Sequence, residues 1–479
     1  MAIFDCSLPG GLSCPAQFCY CSPSNLIDVL GNIFPKTLFK QMCWGIFPKT
    51  LFNQEIGDLM RIAFLGVRVP GHLYPMTTLA RKLKARGHDV VFISVLDTEP
   101  FVIAANLPYV PFCEQDFPLG SVRKTIDQLS KLQGHAALEF ALRSVAKSLS
   151  SSFKNLPQTL REAEVDALVL DQADYGLGLV PMHLGMPYAH VSNALHIDFS
   201  AVTPVCTVDW QHETTSEALA RNQAGLKAFM QIYEPATSIA HNYAKQVGLD
   251  VDWSDPFVSL SKLAWITQAP KEFDFKSSHW PAQFHYAGPL HDGLGRIESN
   301  FPWDRLTGEP LIYASMGTLQ NGLESVFSAI AEAVGTKPGM QLVLSIGESL
   351  DPGKINSLPV NCIVVKNAPQ IELLKRAALC ITHAGLNTAL ESLAQGVPMV
   401  AIPVSTDQPG VAARIAYTKT GSYVPLQELT APKLSTLIDE VLTNPEYRQN
   451  ANKMREAIAK TNGLEVAADI LEQAFNLPR

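Results

Sequence analysis

Several things are scarce in this 479-residue chain. Charged side chains make up only 17% of it, against 47% hydrophobic, so much of the chain must be buried. Yet no apolar run approaches the ~20 residues needed to span a bilayer, which excludes an ordinary transmembrane helix. Early basic residues are absent too: the first is Lys36, so the start lacks the cationic region of a secretory signal. The net charge of −8 offers no footing for nucleic acid or anionic lipid. Beyond residue 59 only Cys113, Cys206, Cys362 and Cys380 remain, a pattern of buried thiols in a reducing compartment. These absences describe a cytoplasmic enzyme-sized protein, with peripheral membrane contact left open. Its length favours two domains.

The first 59 residues differ from the rest. They hold Cys6, Cys14, Cys19, Cys21 and Cys43, but without the paired C-x2-C spacing of zinc ribbons. "IFPKTLF" occurs at 33–39 and again at 46–52, too few and too short for a solenoid. Residues 1–59 are expected to be a poorly ordered appendage without chemistry, or upstream sequence translated from a misplaced start.

From Met60 short apolar strands alternate with amphipathic helical stretches. "RIAFLGV" is followed by a loop, then "MTTLARKLKARGH" with Gly87 placed to end the helix, then "DVVFISV". Further strands are expected at 166–172, 187–193 and 264–270. A Pro- and Gly-rich stretch at 284–296 reads as a linker. A second series follows: "PLIYASMG", "MQLVLSIG", "CIVVKN", "LCITHAG" and "PMVAIPV". Apolar strands between helices indicate α/β architecture with parallel sheets covered on both faces. The expectation is two doubly wound halves, 60–289 and 290–455, with ligands beyond the carboxyl ends of the strands, in the cleft between. Residues 456–479 are expected to form a C-terminal helix packed back on the first half.

The most informative stretch is 380–415. The strand "LCITHAG" ends at His383 and a helix begins almost at once. Ala384 and Gly385 permit close backbone approach to a ligand. Asn387 and Thr388 lie at the helix N-terminus, where free N–H groups and the dipole favour a phosphate. Glu391, four residues after Asn387, shares its helix face and can accept paired hydroxyl bonds such as those of a ribose. Asp407 and Gln408 follow the next strand, a carboxylate beside an amide suited to sugar hydroxyls.

The segment 367–408, "NAPQIELLKRAALCITHAGLNTALESLAQGVPMVAIPVSTDQ", resembles the nucleotide-sugar signature of the UDP-glycosyltransferases, with a bacterial macrolide and zeaxanthin glycosyltransferase flavour. The resemblance runs from Met60 to the C-terminus and includes "MRIAFLGVRVPGHLYPM", "AGPL" and "YASMGT". It implies a GT-B fold, two Rossmann-like domains facing across a cleft. On the donor side it implies His383, Gly385, Asn387 and Thr388 at the diphosphate. Glu391 would be at the ribose, Gln370 near the nucleoside, Ser315 or Thr318 at a further phosphate contact, and Asp407 with Gln408 at the hexose. Where plant members place a Trp that stacks on uracil, this chain has Asn367, which leaves dTDP-sugars open beside UDP-sugars.

The resemblance further implies His72 of "GHLYP" as catalytic base, with Asp171 as its partner and Asp174 as the nearest rival. An imidazole titrating near neutrality can take the proton of an attacking hydroxyl. Retaining GT-B enzymes commonly carry Glu-x7-Glu here, but the residue eight before Glu391 is His383. The expectation is therefore an inverting O-glycosyltransferase that moves a hexose, foremost glucose, from a UDP-sugar to a hydroxyl of a lipophilic small molecule. It would need no cofactor and no metal; the D-x-D at Asp250–Asp252, in a polar connecting region, is discounted. The alternatives are a nucleotide-sugar epimerase on a similar fold and a non-catalytic donor-binding relic. Residues 113–160 and 193–250, read as irregular, are expected to line the acceptor pocket. Acceptor identity and oligomeric state stay open.

Overall fold

The structure is a computed structural model that describes residues 60–477 apart from 278, 298, 320, 321 and 349. The expected N-terminal appendage lies outside the described residues.

Two wholly parallel sheets organise the chain. The first comprises β1 (Arg61–Leu65), β2 (Asp89–Ser94), β3 (Tyr109–Pro111), β4 (Ala167–Asp171), β5 (Tyr188–Ser192), β6 (Trp265–Thr267) and β7 (Phe284–Tyr286). Their order is β3-β2-β1-β4-β5-β6-β7. The second comprises β8 (Leu311–Ser315), β9 (Gln341–Ser345), β10 (Ile363–Val365), β11 (Ala377–Thr382), β12 (Met399–Ala401) and β13 (Gly421–Tyr423), ordered β10-β9-β8-β11-β12-β13. In each, the chain starts centrally, winds outward one way and then the other. The switch lies between β1 and β4 in one sheet and between β8 and β11 in the other. Loops diverge at such a point and leave a crevice at the carboxyl ends.

Side-chain alternation explains why these runs are buried on both faces. In β1, Ile62 and Phe64 join a core with Leu79 and Leu83 of the helix Pro70–Ala85. Ala63 and Leu65 instead join the core beneath the helices Gly134–Glu162 and Ser216–Val247. A strand apolar at every position is what a doubly covered parallel sheet demands.

The structure differs from expectation in four places. The "GHLYP" loop is helical: the helix starts at Pro70, whose fixed φ and missing N–H suit a first position, so His72 lies in the first turn. The linker stretch opens with β7, and β3 and β13 were not anticipated; three residues at a sheet edge carry too little pattern to read. Much of 113–160 and 193–250 is regular, forming the long helices Gly134–Glu162 and Ser216–Val247, which pack on each other. Finally, residue 456 falls inside the helix Pro445–Thr461, and the chain turns at Asn462, in the left-handed region at φ 51°. The helix Gly463–Ala474 then buries Ala467, Ala468 and Leu471 against the first sheet's core. Arg86 holds it through Glu465, Asp469 and Glu472.

Candidate active site

His72 sits directly beyond β1, and Asp171 ends β4, its neighbour in the sheet. Adjacent parallel strands thus deliver both side chains to one edge. His72 Nδ1 lies 2.7 Å from Asp171 Oδ2. A carboxylate only accepts, so Nδ1 carries a proton, and in the neutral ring Nε2 keeps its lone pair. Asp171 is 1% exposed and also accepts from Ala173 N at 2.9 Å and Asn193 Nδ2 at 2.7 Å. Burial works to raise its pKa, but His72 and these donors hold it below the usual carboxylate range. Burial likewise works to lower the pKa of His72, yet the Asp171 charge and hydrogen bond prevail and raise it. Burial and the neighbouring Asp171 charge lift the rival, Asp174, to about 6. Geometry therefore pairs His72 with Asp171.

Across the cleft β11 ends at Thr382, and the helix Leu386–Ala394 starts after three intervening residues. Ala384 takes φ 66°, a left-handed conformation, to make this turn. Gly385 has an ordinary φ of −64°, so its backbone conformation does not call for glycine, but its surroundings do. A Cβ there would lie 2.4 Å from His383 Nε2, and one on Gly317 would lie 2.5 Å from the same ring. Both glycines thus accommodate the imidazole of His383. Burial lowers the pKa of His383 to about 4, so it is neutral at pH 7, and its Nδ1 is buried without a hydrogen-bond partner. Of the two further candidates, Ser315 ends β8 and is buried, and Thr318, in the turn that follows, is exposed.

Gln370 and Glu391 are brought together: Gln370 Nε2 donates to Glu391 Oε2 at 2.7 Å and to Thr388 Oγ1 at 3.3 Å. Glu391 is not free for two hydroxyls, because Arg296 pairs with its other oxygen. Arg296 also lies 5.1 Å over the ring of Tyr74. If a ribose takes that carboxylate it must displace the guanidinium, and removing it should tighten donor binding. Arg296→Ala is expected to lower the Kd for UDP-glucose several-fold by calorimetry. A raised Kd would instead mean that Arg296 itself touches the donor.

Asn387, Asp407 and Gln408 are engaged as well. Asn387 Nδ2 donates to Gly71 O, and Asn387 Oδ1 accepts from Gln268 Nε2 at 2.8 Å. Asp407 Oδ2 accepts from Leu195 N at 2.9 Å, and its charge adds to the pull on the His72 proton. Gln408 Oε1 turns inward to accept from Val404 N and Ser405 N. Asn193, Gln268 and Arg296 escaped the sequence reading. A usable signal existed for two of them: Asn193 and Gln268 directly follow β5 and β6, as polar residues at the carboxyl edge that Asp171 also occupies.

The sequence profile of the family described as UDP-glucoronosyl and UDP-glucosyl transferase matches residues 304–461, which include the second sheet. An NDP-glycosyltransferase, YjiC, of Bacillus licheniformis is 30% identical over 423 residues, 87% of this chain and 98% of that protein. The chain belongs to the UDP-glycosyltransferase family. A zeaxanthin glucosyltransferase of Pantoea ananas is 28% identical, covering 84% of this chain and 93% of the relative. The crystal structure of CalG4, the calicheamicin glycosyltransferase, superposes with a TM-score of 0.66 at 20% identity, covering 87% of this chain and 98% of that one. That likeness speaks for the GT-B fold alone. The glycosyltransferase is thus a UDP-dependent enzyme that acts on small molecules, and these relatives do not favour the epimerase alternative. No helix among the described residues is long and apolar enough to cross a membrane.

Proposed function

We propose that the enzyme is an inverting O-glycosyltransferase that moves glucose from UDP-glucose to a hydroxyl of a lipophilic small molecule. The observation that carries this reading is the 2.7 Å contact of His72 Nδ1 with Asp171, which leaves Nε2 as the basic nitrogen on a side chain still 17% exposed. In the proposed step Nε2 takes the acceptor proton as the acceptor oxygen attacks C1 of the sugar. The C1–O bond to the diphosphate breaks, and its electron pair leaves with UDP. Asp171 steadies the imidazolium that forms. Attack opposite the leaving group turns an α-linked donor into a β-glycoside. The absence of a carboxylate eight residues before Glu391 favours this single displacement.

On the donor side, the N-terminal amides of the helix Leu386–Ala394 and the unpartnered nitrogen of His383 suit a departing diphosphate. We assign the diphosphate to His383, Gly385, Asn387, Thr388 and Ser315 or Thr318. The nucleoside goes to Gln370 and Glu391, and the hexose to Asp407 and Gln408. No metal or other cofactor is part of the proposed step, and the enzyme is placed in the cytoplasm. The zeaxanthin glucosyltransferase likeness supports a lipophilic alcohol as acceptor.

The test is UDP release from UDP-glucose with a carotenoid diol, a macrolide aglycone, a phenol and a sterol, with and without EDTA. Turnover with one of them in EDTA, and a β-glycoside by NMR, is the expected result. An α-glycoside would refute inversion, and dependence on added metal would refute the metal-free step.

A further inference from the structure

A closed circuit of hydrogen bonds joins the His72–Asp171 pair to the donor helix. Asn193 Nδ2 donates to Asp171 Oδ2, the oxygen that also meets His72. Gln268 Nε2 donates to the main-chain oxygen of the same Asn193, and to Asn387 Oδ1 at 2.8 Å. Asn387 Nδ2 returns across the cleft to Gly71 O, one residue before His72. The circuit therefore passes between the halves twice and closes on the base.

Gln268 is the member with no other assignment. It is 1% exposed, as is Asn193, so neither amide has water as an alternative partner. A buried amide that donates both ways is costly to misplace, because each acceptor left unmatched loses a hydrogen bond in a dry site. Asn387 is in the first turn of the helix Leu386–Ala394, at whose N-terminus the diphosphate is placed. The hydrogen bonds through Gln268 and Asn193 tie that turn to Asp171, the partner of His72.

We infer that Gln268 is a positioning residue that holds the donor helix and the catalytic pair in register for in-line attack. The inference rests on the reading of His72 as base and of the helix Leu386–Ala394 as the diphosphate site. Gln268 touches neither substrate in this account, so its loss should be felt in turnover rather than in donor binding. A misplacement of about 1 Å can cost roughly 100-fold in rate.

Two substitutions separate the hydrogen bonds from mere packing. Gln268→Met keeps length and apolar bulk but has no donor. Gln268→Glu keeps shape but sets a carboxylate against two carbonyl oxygens. UDP release from UDP-glucose is followed in the full chain, with an acceptor or with water in its place, alongside thermal unfolding. The expected result is a kcat lowered about 10- to 100-fold in Gln268→Met, more so in Gln268→Glu, with KM for UDP-glucose within about threefold in Gln268→Met. Wild-type kcat in Gln268→Met would overturn the inference. So would kcat and donor affinity lost together with a large fall in Tm, the mark of a purely structural role. His72→Ala, measured beside them, separates the two levels. If it is inactive while Gln268→Met is normal, only the coupling falls; if His72→Ala turns over normally, the base falls and the coupling with it.

Discussion

Replacing His72 with alanine is expected to slow UDP release by about 10²–10⁴-fold, with UDP-glucose binding intact. The effect is large because Asp171 cannot take its place. Asp171 is 1% exposed and its oxygens are occupied by Ala173 N, Asn193 Nδ2 and His72. Asp171→Asn should also cost heavily, since an amide can donate to Nδ1 and turn the wrong nitrogen outward. The pH profile supplies the sign. A base works deprotonated, and the pKa of His72 is raised above its ordinary value by Asp171 against the opposing effect of burial. Turnover should therefore fall as pH drops through a value above about 6.5, and in Asp171→Asn that limb should move to lower pH. Normal turnover in His72→Ala, or an unmoved limb in Asp171→Asn, would remove the pair from the mechanism.

Asp274→Asn is expected to destabilise the fold by about 3–5 kcal/mol at pH 7, the usual cost of breaking a buried ion pair. Asp274 stands between β6 and β7 and Arg414 in the helix Gln408–Tyr417, so their 2.7 Å contact bridges the two halves. They are 3% and 2% exposed. His196 Nε2 at 3.0 Å and Tyr286 OH at 2.6 Å complete the carboxylate, and the guanidinium lies 4.2 Å over Phe275. Burial alone would raise the pKa of Asp274; Arg414 and His196 depress it instead. A depressed carboxylate stabilises above its unfolded value and loses that contribution as pH falls. The deficit of the variant, by urea unfolding, should thus be full at pH 7 and shrink below about pH 4. Replacing both partners, Asp274→Leu with Arg414→Met, should recover most of the loss. Wild-type stability of Asp274→Asn at pH 7 would show that this bridge does not hold the halves.

Legibility in the sequence followed the range of the interaction. Long apolar strands such as β1, β8 and β11 carry their own signal, because most of their positions alternate between two cores. The three-residue strands β3, β7 and β13 depend on a neighbour to pair with and were missed. His72 was legible as a residue type in a motif but was misplaced into a loop, because Pro70 reads as a breaker until its position at the helix start is known. Gly385 was legible as a position where something approaches the backbone closely, and the neighbour that the fold brings there is the ring of His383.

The donor candidates between Gln370 and Gln408 could be named from the sequence, most from their places at strand and helix ends and Gln370 from the family resemblance, since they lie within 39 residues of one another. Their partners could not. Arg296 reaches Glu391 across 95 positions, Gln268 reaches Asn387 across 119, and Asn387 reaches Gly71 across 316. Local pattern settles which segments become strands and helices because periodicity and turn chemistry act within about ten residues. Hydrogen bonds between buried polar groups obey no such spacing: a partner is whichever group the closed fold brings within about 3 Å. So the alternation of elements, the two sheets and the candidate residues were written along the chain. The occupation of Glu391 by Arg296 exists only because the chain folds back on itself, and the circuit from Asp171 through Gln268 to the helix Leu386–Ala394 only because folding closed the halves on each other.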